Sequence, residues 1–282
     1  MRSKLKDPDF KDQHEATQAC QLSARPSGFV YFVGAGPGDP GLLTLRAVEC
    51  LAKADCVLAD RLVHPETLKF AKPGAKIVQF QHHSNEVPAD GASVFRSRED
   101  FLSLMVTEAK QGKIVVRLKS GCPEIFAHQS EEQAILRDAG IPYQIIPGVT
   151  AGLAAAAYAG IPLTDSDCSS AVALVTGHEK SPKRGTHLDY ELLAQFPGTL
   201  VFYMGVKTAP QWSQALIRGG RSANTPVTIV CRCSWPDQRI VRCQLSNVAE
   251  TIVRNQVEAP AIIIVGEVAG QTLSPQSDPE LE

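Results

Sequence analysis

Asp60 stands directly after a short apolar run, Cys56-Val-Leu-Ala59, and is followed by Arg61. A carboxylate delivered to the rim of a sheet by a buried strand can accept a proton or steady a developing cation. A helix N-cap or a salt bridge to Arg61 is the other reading of the same residue. A second chemical position is the turn Ser120-Gly121-Cys122-Pro123, where the β-branched run Ile114 to Leu118 stops and a polar stretch with helical spacing begins. Arg61, Arg117 and Lys119 lie beside these two points as candidates for holding carboxylates, arginine through its planar fork. His82 and His83, in Gln81-His-His-Ser84, could donate a proton near neutral pH. Thr150 offers a hydroxyl and backbone groups at a helix start, and Met204, after another apolar run, a soft apolar wall. Gly34-x-Gly36-x-Gly38 invites a dinucleotide reading, with Asp60 as ribose partner, but Pro37 removes a donor and Asp39 would face the phosphates.

The elements that must position these residues follow from periodicity. Phe29 to Val33 reads as a strand, then a Gly-rich loop, then a helix through Leu42 to Ala52 and a strand through Asp55 to Ala59, which together make a βαβ unit and imply a parallel sheet. Further strands are expected at 77–80, 114–118 and 143–146, with helices at 101–110 and 129–138. Beyond Pro147-Gly148 come a helix at 150–158, strands at 171–176 and 200–204, and a helix at 212–218. An antiparallel pair at 227–231 and 240–244 follows, with a helix at 247–255 and a last strand at 261–265. The fold class is therefore α/β, divided into domains at 28–147 and 148–269, with a parallel sheet in the first and a mixed sheet in the second, and a cleft between them. Residues 1–27 and 270–282 read as a disordered arm and tail.

The bulk numbers exclude more than they assign. A net charge of −2 gives no global field for nucleic acid or an anionic membrane surface. The first 27 residues lack the apolar core of a secretory signal, and no window approaches the ~20 apolar residues of a membrane span, so a cytoplasmic protein is expected. Eight cysteines without a CxxC pair point to reduced thiols, with neither disulfide framework nor zinc site. Alternation would put Cys231 and Cys233 on one face of a strand.

The phrases GAGPGDPGLLTLRAVECLAKADCVLADRLV, RLKSGCPEIF, AGIPYQIIPGVTAGLAAAAYAGIPLT, VTGHE, TLVFYMGV and PAIIIVGEV, in that order from Val30 to Val268, resemble the tetrapyrrole methylases, most closely the uroporphyrinogen-III C-methyltransferase branch. The resemblance implies a class III methyltransferase fold, S-adenosyl-L-methionine as methyl donor in the cleft, no metal, a homodimer, and methylation of uroporphyrinogen III at C-2 and C-7 to precorrin-2 for siroheme or cobalamin synthesis. Carried over by motif, Pro37, Ser120, Gly121, Cys122, Ile125, Thr150, Ala151, Met204 and Cys233 would contact the cofactor. Asp60 would be the proton acceptor, and His82 would stand near the family's lysine donor. Arg61, Arg117 and Lys119 would meet the substrate's carboxylates. An arm of 27 residues is too short for the dehydrogenase and chelatase module of fused siroheme synthases, which implies the methyltransferase alone.

The chain departs from the family at three places. The family's Gly-Gly-Asp-Pro and Phe-Gly-Arg-Gly read here Ser120-Gly-Cys-Pro123 and Phe126-Ala-His-Gln129, its Gly-Lys-Arg reads Gln81-His-His-Ser84, and a late glycine is Cys233. If the first glycine of that turn used positive φ, Ser120 would cost ~1–2 kcal/mol. A divergent methylase acting on another precorrin, or a degenerate non-catalytic homologue that binds a tetrapyrrole or a partner, are the competing expectations.

Overall fold

The structure, a computed structural model, describes residues 28–80, 93–95, 97–179 and 188–271. The 1–27 arm, His82, His83 and nearly all of the 270–282 tail lie outside the described residues.

The first sheet holds β1 (Phe29–Gly34), β2 (Cys56–Ala59), β3 (Lys76–Phe80), β4 (Ser93–Phe95), β5 (Ile114–Lys119) and β6 (Tyr143–Ile146), in the order β4-β3-β2-β5-β1-β6. Every pair is parallel. Alternation explains how it is filled. Val33, Val57, Val116 and Leu118 face one apolar cluster, and Val30, Phe32, Cys56, Leu58 and Val115 face the other, so both sides are covered. The second cluster is closed by α2 (Arg98–Lys110), whose Phe101, Leu102, Met105 and Ala109 recur at helical spacing, and by Leu136 of α3 (Gln129–Asp138). Ser97 caps α2, accepting from Asp100 N at 3.2 Å, with Glu99 and Asp100 in the first turn and Lys110 in the last. The first cluster packs under α1 (Leu45–Leu51), capped by Thr44.

The second sheet is mixed, as expected. It runs β10-β9-β11-β8-β7 through β7 (Val172–Thr176), β8 (Thr199–Tyr203), β9 (Pro226–Cys231), β10 (Arg239–Gln244) and β11 (Ala261–Val265). Only β7 and β8 are parallel; the β9–β10 hairpin turns through the Trp-Pro-Asp-Gln segment. Helices α4 (Ala151–Tyr158), α5 (Tyr190–Ala194), α6 (Ala209–Arg218) and α7 (Val248–Arg254) complete this half. Strand β4 and helix α5 are additions to the elements expected from sequence.

Two local expectations are corrected. The backbone after β9 turns left-handed at Arg232 (φ 46°), which breaks the alternation: Cys231 packs with Trp212 and Phe202, whereas Cys233 packs with Tyr203 and Val230 in a different cluster. In the Ser120 turn the positive φ belongs to Gly121 (69°) and not to Ser120, so the feared strain does not arise. All seven described cysteines are free thiols, and no described helix is long and apolar enough to cross a membrane.

Candidate active site

Ligands of open parallel sheets sit beyond the carboxyl ends of the strands, and here four of those ends meet. Gly36 after β1 and Gly121 after β5 form a two-bond bridge, Gly121 N to Gly36 O at 2.7 Å and Gly36 N to Gly121 O at 3.2 Å. A Cβ on Gly34 would lie 2.5 Å from Gly148 N, and one on Gly148 would lie 2.4 Å from Gly121 O. Three turns, from β1, β5 and β6, therefore touch backbone to backbone, and only glycine allows it. Asp60 follows β2, whose Ala59 is in register with Leu118, and its N–H donates to Leu118 O at 3.0 Å.

The second half of the chain closes on the first loop. Trp235 Nε1 donates to Pro37 O at 3.2 Å, Asp39 N donates to Ser234 Oγ at 3.0 Å, and Tyr158 donates to Asp39 Oδ2 at 3.1 Å. Asp39 also caps a short 3-10 turn, accepting from Gly41 N at 2.7 Å. Asp39 N and, in the bridge, Gly36 N are amides that a dinucleotide loop would turn toward a pyrophosphate, and both are already engaged within the protein, so that reading is set aside.

On the opposite wall, Thr150 precedes α4 in capping geometry, yet its hydroxyl does not cap the helix. It hydrogen-bonds the Tyr203 hydroxyl at 2.8 Å, and Tyr203 instead accepts from Gly152 N at 2.8 Å. Burial first, opposed by these bonds, pushes the Tyr203 phenol upward, which keeps it a protonated donor. Thr150 and Ala151 lie against Gly121, and Ile125, Ala151, Tyr203 and Cys233 share one apolar cluster. The buried Cys233 thiol is pushed up to about 12 by desolvation, so it acts as an apolar filler. The structure thus brings the Ser120–Cys122 turn, Ile125, Thr150, Ala151 and Cys233 together, with Pro37 across the Gly36–Gly121 bridge and Met204 next to Tyr203 in the chain.

Five non-glycine residues in these loops adopt left-handed backbone: Phe126, His128, Met204, Arg232 and Ser234. Such conformations persist only where the surroundings hold them, and they gather at functional sites. Phe126 and Met204 remain 41% and 48% exposed despite being large and apolar, and the Phe126 ring lies 5.1 Å from that of Tyr203. Exposed apolar side chains held beside backbone amides and a hydroxyl fit a ligand with a flat aromatic part and a polar tail.

The charged residues are arranged differently from the expectation. Arg61 is exposed, but Arg117 and Lys119 are buried. They occupy the same face of β5 as Val115 and so point under α2 and α3 rather than into the cleft. Arg117 Nη2 meets Asp60 Oδ1 at 2.5 Å, and its Nε and Nη2 take the two oxygens of Glu132 at 3.2 Å each. Lys119 Nζ lies 2.9 Å from Glu132 Oε2. Asp60 is therefore paired with Arg117, not with its neighbour Arg61, and its side chain stays 30% exposed. Desolvation, then the Arg117 charge, hold Lys119 below the ordinary lysine value. Asp60 and Glu132 hold Arg117 above the ordinary arginine value against a large desolvation cost.

Sequence reading missed Glu132. Its signal was two cations at alternate positions of a strand otherwise buried, which require an acid from the next element.

The family described as Tetrapyrrole (Corrin/Porphyrin) Methylases matches residues 30–249. Two proteins of Bacillus subtilis (strain 168), each named uroporphyrinogen-III C-methyltransferase, are 42% identical over 242 residues and 41% identical over 241. Each alignment covers 86% of this chain; it spans 49% of the first relative and 91% of the second. A crystal structure of the uroporphyrin-III C-methyl transferase of Thermus thermophilus, complexed with S-adenyl homocysteine, superposes with a TM-score of 0.70 at 36% identity, over 86% of this chain and 94% of that one. With a family match across most of its folded length and a shared architecture, the chain belongs to the tetrapyrrole methylases.

Proposed function

We propose that this chain is an S-adenosyl-L-methionine-dependent uroporphyrinogen-III C-methyltransferase that methylates C-2 and C-7 to give precorrin-2, the precursor for siroheme or cobalamin. The observation that carries the reading is Asp60: a partly exposed carboxylate at the carboxyl edge of the first sheet, tied through one oxygen to a buried arginine and one strand position from the Ser120 turn.

The methyl donor would be held by Pro37, the Ser120–Cys122 turn, Ile125, Thr150, Ala151, Met204 and Cys233. When bound, it supplies an electrophilic sulfonium methyl. The protein's own residues supply placement and charge. Displacement at such a carbon needs alignment more than a strong base. The apolar surfaces of Phe126 and Met204 keep water from the donor's side of the cleft. Attack by a pyrrole carbon leaves a cationic ring, which the Asp60 carboxylate stabilises and then relieves of a proton. Arg61 is the cation of the original three that remains exposed to meet a substrate carboxylate. His82 remains the proposed donor opposite. The protein works as a cytoplasmic homodimer with its two α/β domains divided near Pro147-Gly148.

Incubation with uroporphyrinogen III and a methyl-labelled donor is the test. Label in the tetrapyrrole, lost in Asp60→Asn, is the expected result. An unlabelled tetrapyrrole with S-adenosylhomocysteine still bound in calorimetry would reject this substrate, and no binding at millimolar ligand would reject the enzyme.

A further inference from the structure

We infer that Glu132 is a positioning residue for Asp60: it occupies one edge of the Arg117 guanidinium, so that Arg117 holds one oxygen of Asp60 and leaves the second free for the reaction. The inference rests on Asp60 being the reacting carboxylate.

The argument is an accounting of donors. A guanidinium has five N–H groups, and every one on Arg117 has a partner. Nε and one N–H of Nη2 go to Glu132, the other N–H of Nη2 goes to Asp60 Oδ1, and Nη1 donates to Leu58 O at 3.3 Å and Leu118 O at 3.2 Å. The plane is fixed from the side by the Phe101 ring, 5.0 Å from the guanidinium carbon. Arginine and carboxylate prefer a two-bond fork. Glu132, only 2% exposed, takes that fork. Asp60 is left with a single bond, and its Oδ2 accepts none among the described residues.

Charge supports the same division. Glu132 faces Arg117 and Lys119 from β5 and Arg98 Nη2 from α2 at 4.0 Å, while Arg98 also meets Glu131 at 2.9 Å and His128 Nδ1 lies 3.8 Å from Glu131. Asp60, Glu132, Arg117 and Lys119 sum to zero. Adding a proton to Asp60, as the reaction requires, leaves Arg117 still balanced by Glu132, so the guanidinium need not move during turnover. With Glu132 neutral, Arg117 is free to turn its fork on Asp60 and close both oxygens.

The test compares pH profiles of kcat and KM for labelled methyl transfer in the wild type, Glu132→Gln, Lys119→Met and the double variant. Glu132→Gln removes a negative charge and favours the Asp60 carboxylate, so the acid limb should move down by roughly one pH unit. Its kcat should fall about tenfold, with KM for the methyl donor within about twofold of wild type. Lys119→Met removes a positive charge and should move the acid limb up; the double variant, neutral again, should return it. Opposite signs are what a merely structural role does not produce. An acid limb unmoved in both single variants, with only thermal stability lost, overturns the inference. If Glu132→Gln does not fold, an unmoved limb in Lys119→Met overturns it alone. Asp60→Asn separates the two readings: full turnover there would remove Asp60 itself from the chemistry, whereas a dead Asp60→Asn beside an unshifted Glu132→Gln removes only the role of Glu132.

Discussion

Replacing Tyr203 by phenylalanine removes one oxygen and little else, and that oxygen ties the end of β8 to the start of α4. It accepts from Gly152 N and hydrogen-bonds Thr150 Oγ1, both at 2.8 Å. A typical internal hydrogen bond contributes about 1 kcal/mol net, and a buried N–H left without a partner costs about 1–3 kcal/mol. Against this, Thr150 already has the extended backbone of an N-cap (φ −70s, at −75°, ψ 145°) and no cap bond, so in the variant its freed hydroxyl can turn to the first-turn amides. The expected loss is therefore about 1.5 kcal/mol rather than 3. For a chain of this size that corresponds to a fall in Tm of roughly 3–5 °C. Because the rescue runs through Thr150, Tyr203→Phe and Thr150→Ala must couple. The double-mutant cycle should yield an interaction of about 1 kcal/mol, read by thermal and urea unfolding. A loss below ~0.5 kcal/mol, or additive single variants, would refute the view that Tyr203 caps α4 from the end of β8.

Three further outcomes follow from particular contacts. Gly38→Ala places a Cβ 2.4 Å from the Trp235 ring, so the turn after β9 must shift off the first loop; a loss of about 2 kcal/mol is expected, with quenching or a red shift of tryptophan emission, and an unchanged spectrum would count against it. Cys122→Asp restores the carboxylate at the family's acidic position and should tighten S-adenosylhomocysteine binding about tenfold by calorimetry, whereas equal affinity would show that the backbone of the turn suffices. Bonds from Lys113, then from Lys76, hold the buried Glu108 carboxyl below its ordinary value, with burial opposing. A depressed carboxylate stabilises the fold above its unfolded pKa and stops doing so as pH falls through its folded one. Glu108→Gln should thus cost about 1–2 kcal/mol at pH 7, discounted because both lysines are partly exposed, and the gap to wild type should narrow below about pH 4; a gap as wide at pH 3.5 would refute the pairing.

How far the sequence carried depended on the range of the interaction. Strand and helix positions were legible where a period or an apolar run stopped at a turn signal, as in Ile114–Lys119, the four-residue β6 and Gln129–Asp138. The three-residue β4 and the five-residue α5 were not, because three residues and little more than one helical turn show neither a period nor a long apolar run. Nor was the order of the first sheet, in which β5 enters between β1 and β2: that pairing is decided by contacts dozens of residues apart. The glycines of the three turns were visible as a motif, but their reason, mutual backbone contact, exists only in three dimensions. Arg117 and Lys119 teach the most. Read singly they looked like hands for a substrate, yet they alternate with Val116 and Leu118 on a strand whose two faces are both covered, and that placement makes the outward reading physically expensive. Charges on such a strand belong to an internal network unless the strand ends there, and Lys119 is the last residue of β5 but still tucks under α3 to Glu132, 2.9 Å away. The residue that reaches the cleft is the one past the end of its strand, Asp60, and the buried cations serve as its support. In a parallel sheet covered on both faces, position relative to the strand's last residue therefore separates a reacting carboxylate from the charges that hold it.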